Sequence, residues 1–161
     1  HASSSAASDV YKRQDLNSKS IKFDENNVLD YISNIYSAFE LIIDRDADYK
    51  KIDALSMASD NVWCAGVILG NPIENWKNID FNTLKSTLYW NDETPQEAII
   101  KDANPFDTLA WVINLRLSLN LNIPKGSKII TGSVIKTRSP KKGDVVTYNV
   151  GNLSETKIRL I

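Results

Sequence analysis

Apolar residues recur at helical spacing in the first part of the chain. Val28, Leu29, Ile32, Ile35, Tyr36 and Phe39 stand three or four apart, which predicts an amphipathic helix with Asp24 as its N-cap. The short apolar run 39–43 then predicts a strand entering the core, and 46–59 carries no clear period. Residues 62–69, VWCAGVIL, are uniformly apolar between Asp60-Asn61 and Gly70-Asn71-Pro72, as expected of a strand buried on both faces. Leu84, Ser86, Leu88 and Trp90 alternate with Lys85, Thr87 and Tyr89, so this stretch predicts a strand running into an Asn91-Asp92 turn.

A second helix is predicted from Asn104-Pro105. Asparagine can cap, and proline suits the first helical position because its missing N–H would have lacked a partner there. Phe106, Leu109, Ala110, Ile113 and Leu117 form its apolar stripe, and it should end before Pro124. Beyond it the pattern predicts strands at 128–132, 144–150 and 154–161, separated by the turn signals Pro124-Lys125-Gly126 and Pro140-Lys141-Lys142-Gly143. Ile158 and Leu160 share a face of the last strand. The sum is an α+β chain with a mostly β second half.

Composition narrows the chemistry. There are 19 basic and 20 acidic residues, a net charge of −1, which excludes an electrostatic nucleic-acid binder. No apolar run approaches the roughly 20 residues of a membrane span, so no membrane partner is expected and a cytoplasmic location is. A single cysteine, Cys64, excludes an internal disulfide framework and fits a reducing compartment. The one histidine is His1, so no histidine-based metal site or Ser/His/Asp triad is available in the body of the chain. Residues 4–14, SSAASDVYKRQ, look like a reading frame of a sequencing adapter and lack the apolar centre of a secretory signal. Residues 1–14 are therefore expected to be a non-native leader, and 15–161 one domain whose true N-terminus is missing.

The ordered segments carry a family likeness. NPFDTLAWVINLRLSLNLNIPKGSKIITGSV…KKGDVVTYNV, preceded by SAFELIIDRDADYK…SDNVWCAGVILGNP, resembles the C-terminal part of the 2-keto-4-pentenoate hydratase and 4-oxalocrotonate decarboxylase group. That group lies in the fumarylacetoacetate hydrolase superfamily. The resemblance implies a mixed β-roll or barrel with flanking helices. It also implies a divalent ion, Mg²⁺ or Mn²⁺, held by a Glu-x-Glu pair and a later glutamate that maps to Glu40. Hard oxygen ligands suit such an ion, which polarises the 2-oxo group of a small 2-oxo acid. By spacing, the Glu-x-Glu pair falls inside or before the leader.

Two positions depart from the family pattern. Asp44 stands four residues after Glu40 where the family has three, so either a bulge absorbs the extra residue or the ligand is lost and Leu41 takes its place. Trp63 occupies the position of a substrate-facing serine, and its plain role is core packing. Gly132 and Ser133, in Thr131-Gly132-Ser133, are the expected substrate-lining residues, with an ordinary strand-end turn as the alternative. Asp60-Asn61 would orient the site or simply turn the chain. Cys64 is expected to be a small core residue, with no activating base nearby. No catalytic residue is assigned. The function implied is a lyase of the hydratase type, converting 2-hydroxypenta-2,4-dienoate to 4-hydroxy-2-oxopentanoate, and self-association is expected by analogy. The alternatives are a 4-oxalocrotonate-type decarboxylase, an acylpyruvate hydrolase, or a non-catalytic binding or assembly subunit of the same fold.

Overall fold

The computed structural model describes residues 2–10 and 21–161. Its first departure from the sequence pattern is at the predicted first helix, which is a strand. Asp24 does cap, accepting from the backbone N–H groups of Asn26 and Asn27 at 2.9 Å, but what it starts is a 3₁₀ turn at Asn27–Tyr31. The chain then extends as β2, Ile32–Ile42. Ser33 is the extra residue of a bulge there, since Asn34 pairs with Asp9 and Ile32 with Val10 of β1, Ala2–Val10. The bulge places Ile32 and Ile35, three apart, both in the core. Beyond it the strand alternates normally. Ile35 and Phe39, four apart, satisfy both the strand period and the helix period, so the spacing alone could not separate them.

Two open antiparallel sheets result, with no closed barrel among the described residues. The first has the order β3-β2-β1-β6, with β3 at Cys64–Pro72 and β6 at Lys128–Ser133. The second has the order β5-β4-β7-β8, with β4 at Lys85–Trp90, β5 at Gln96–Ile99, β7 at Val145–Val150 and β8 at Ser154–Arg159. β1 lies within the segment expected to be a leader, between β2 and β6; the expected boundary after residue 14 falls outside the described residues.

β3 is not buried on both faces. It begins at Cys64 because Asn61, Val62 and Trp63 are left-handed (φ 49°, 50° and 61°), and it lies at the edge of its sheet, where Val67 is exposed. β4 matches its alternation, with Ser86, Leu88 and Trp90 buried. The expected helix is α2, Pro105–Ser118, which buries Leu109, Ala110, Ile113 and Leu117; Phe106 is half-buried. Asn104 does not cap it through its side chain; it turns the chain into the helix in a left-handed conformation (φ 41°). A short α1, Ala54–Ser59, capped by Asp53, occupies the stretch without a clear period. Asn114 of α2 grips Phe23 twice, accepting from its N–H (2.9 Å) and donating to its carbonyl (2.8 Å).

The sheets meet through a dry polar contact as well as apolar side chains. The Ser37 hydroxyl of β2 lies 2.9 Å from that of Ser154 and 2.6 Å from that of Thr156, both on β8. Ser154 also accepts from the Ser37 N–H at 3.0 Å and donates to the Asn71 carbonyl. Phe39 and Tyr148 pack beside this group, ring centres 6.1 Å apart. Gly70 passes so close that a Cβ there would collide with the Glu155 carbonyl and the hydroxyls of Ser37 and Thr156. The strap from β6 to β7 is tied down separately. Arg138 stacks 4.2 Å from the Trp90 ring centre and forks onto Glu93 at 2.8 and 2.9 Å. Asp144 accepts from the Trp90 indole, Asn91 and the Lys141 N–H, which holds its carboxyl below the usual range.

Overpacking at the sheet junction should be costly. Gly70→Ala is expected to lower the unfolding free energy by about 1–3 kcal/mol, read as an earlier urea midpoint with an unchanged slope.

Candidate functional site

Glu40 takes its direction from the parity of β2. Ser37 and Phe39 point at the second sheet, so Leu41 shares the inner side and Glu40 points to the outer face of the first sheet. On that face Cys64 meets it, donating its thiol hydrogen to the Glu40 carboxylate. The contact arises because the register shifts between Leu41 and Ile42, which pair with Gly66 and Cys64 and leave Ala65 as the extra residue. The irregularity therefore does fall beside Glu40, with the added residue on β3. Cys64 is half-buried, outside the core proper. Burial pushes its thiol pKa up, and the adjacent Glu40 carboxylate raises it further.

The residues after β2 form a strained excursion closed on itself. Arg45 and Asp46 are left-handed (φ 51° and 57°), as are Asn61 to Trp63 at its other end. The Ile43 N–H donates to the Trp63 carbonyl at 3.0 Å, and Arg45 pairs with Asp60 at 2.7 Å. Asp44 accepts from the Tyr49 hydroxyl, which holds its carboxyl low and raises the tyrosine. Trp63 stands edge-on to Tyr49, ring centres 5.5 Å apart, and is half-buried; it does not belong to the core as its size suggested. Asp60 and Asn61 shape this turn, and neither touches Glu40 in a listed-length hydrogen bond or ion pair among the described residues.

Ser133 comes to the same end of the sheet as Glu40. It pairs with Ser5 of β1, which pairs on its other side with Ala38, while Glu40 pairs with Ser3. Two strand spacings and two residues put Glu40 and Ser133 roughly 12 Å apart at the backbone. The Ser133 hydroxyl is turned onto its own strand end, donating to the Ile135 carbonyl. Gly132 has φ of 101°, which a side chain disfavours, and the space where a Cβ would stand is open. At the other end of β2 lies a cleft of about 520 Å³ lined by Leu29, Trp76, Phe81, Lys101 and Phe106, among others. Neither Glu40 nor Ser133 lines it, and nothing in the sequence pattern marked it beyond the Asn104-Pro105 helix start.

No family model matches the chain. It is 25% identical over 124 residues to 4-oxalocrotonate decarboxylase from Pseudomonas putida, covering 74% of this chain and 46% of that protein. It is 28% identical over 150 residues to 2-oxo-hept-4-ene-1,7-dioate hydratase from Escherichia coli, covering 86% and 54%. The structure of 4-oxalocrotonate decarboxylase from Pseudomonas putida G7, complexed with magnesium and adipate, overlays with a TM-score of 0.82 at 22% identity, covering 100% of this chain and 61% of that one. The chain has the fold of the fumarylacetoacetate hydrolase superfamily. Its sequence resemblance lies with the hydratase and decarboxylase group of that superfamily, and it spans about half the length of the curated relatives it matches.

Within this fumarylacetoacetate hydrolase fold, the described residues do not fit a Mg²⁺ or Mn²⁺ centre. No three His, Cys, Asp or Glu side chains among them converge. Glu40 faces a thiol, a soft donor that a hard dication does not select. Glu40 thus stands as a lone acid at the expected place.

The Glu40–Cys64 contact has a chemical readout. Cys64 should alkylate slowly at pH 8, because a raised pKa keeps it in the unreactive thiol form. Glu40→Gln should speed iodoacetamide labelling severalfold by removing the charge that opposes the thiolate. An unchanged labelling rate would place the carboxylate elsewhere.

Proposed function

We propose that the chain is part of a 2-oxo-acid-processing lyase of the hydratase and decarboxylase type, acting on 2-hydroxypenta-2,4-dienoate or a related dienol acid. The overlay of its full length on a 4-oxalocrotonate decarboxylase carries this reading, joined to its 28% identity with a hydratase. Hydration and decarboxylation start alike: the acid is held in one pose and a proton moves between its 2-oxygen and its carbon chain. Gly132 supports the holding step, since its bare backbone and the open space above it let a substrate carboxylate approach. Ser133 would donate to that carboxylate after releasing Ile135. Glu40 is the acid on the same end of the sheet. A small 2-oxo acid as ligand, a homo-oligomeric assembly and a cytoplasmic location belong to the same proposal. The metal that the resemblance implies would need carboxylates that the described residues do not bring together.

A second reading, a non-catalytic binding or assembly subunit, is favoured by one observation. Trp63 stands at the family's serine position and is engaged with Tyr49, so that position supplies no hydroxyl. The two readings part in a direct assay. With Mg²⁺ or Mn²⁺ present, this chain is expected to leave the absorbance of 2-hydroxypenta-2,4-dienoate unchanged beyond the buffer rate. Measurable consumption would show that its site is complete. Independently, 2-oxopentanoate should bind saturably with a Kd on the order of 1 mM, and Ser133→Ala should weaken it severalfold. Absence of saturation in a calorimetric titration would remove Gly132 and Ser133 from the substrate site.

A further inference from the structure

α2 is apolar on two sides. Its inner stripe is buried, yet Trp111, Leu115 and Leu119 follow one another at intervals of four on the outer side and are 63%, 41% and 59% exposed. Leu121, just past the helix, is 46% exposed. A helix on a protein surface ordinarily presents polar residues there, and a contiguous apolar patch marks a contact surface. Charges bracket the stripe. Asp107 stands one turn before Trp111, and Arg116 lies just beyond Leu115. Neither makes an ion pair among the described residues; Arg116 donates only to the Asn122 carbonyl, at 3.2 Å.

We propose that this face binds a second copy of the chain, α2 against α2, antiparallel about a twofold axis at the level of Ile113. In that arrangement Trp111 of each copy packs on Leu115 of the other. Residue 107 of one copy lies opposite 119 of its partner, so Asp107 falls about 4.5 Å along the axis from Arg116, within reach of that long side chain. The symmetry forms the ion pair twice. The opposed helix dipoles favour the same orientation, whereas a parallel pairing would set like charges together. The occupant is thus a copy because the charge pattern is complementary to its own reverse. The inference does not depend on the chemistry proposed above.

The apolar stripe is smaller than the roughly 800 Å² per partner of a standard interface, so the dimer should be weak, with a Kd on the order of 10–100 µM. Sedimentation equilibrium from roughly 1 µM to 1 mM should show the mass rising from one chain to two. Trp111→Asp should stay monomeric throughout. Arg116→Glu should weaken association at least tenfold, and Asp107→Lys combined with Arg116→Glu should recover it. All three side chains are exposed, and circular dichroism checks that the fold persists. A wild-type chain that remains monomeric, association indifferent to Trp111→Asp, or failure of the reversed pair to recover it would each overturn the proposal.

Discussion

The direction of every side chain on β2 hangs on the hydroxyl of Ser37. It is held between Ser154 and Thr156 of the opposite sheet, in a space that Gly70 keeps small by having no side chain. A buried hydroxyl without partners costs more than its hydrogen bonds contribute, so a one-residue slip of β2 is heavily disfavoured. That constraint sends Phe39 inward and Glu40 outward. The placement of the candidate acid is therefore decided in the core, by residues that carry no chemistry themselves.

Much of the architecture could be read from the chain, and the failures have identifiable causes. α2 announced itself through a proline at its first position and an apolar stripe, and β4 through strict alternation. β2 was disguised. The bulge at Ser33 created a spacing of three, Ser37 is polar yet buried, and Ala38 is buried on the outer side between neighbouring strands. Each blurs a period of two. The uniform run before β3 concealed three left-handed residues, including β-branched Val62, that no composition rule anticipates.

The candidate site was legible only by resemblance. No local pattern singles out Glu40, Gly132 or Ser133, and the structure adds the reason: they lie on separate strands and meet through register. The approach of Cys64 to Glu40 comes from a register shift across two strands, and the Tyr49–Trp63 contact from a loop closed by its own strain. Both are tertiary facts. Together they leave the acid beside a thiol and fill the serine position with an aromatic ring, which is why the fold and the chemistry of this chain must be judged separately.

Asn114 has an effect that reaches past the helix it belongs to. By giving one hydrogen bond to Phe23 and taking one from it, its amide imitates a neighbouring strand at the point where the chain approaches β2. The donor and acceptor of Phe23 are thereby unavailable to a stray polypeptide. A single side chain thus closes, at this residue, an opening through which β-proteins stick to one another.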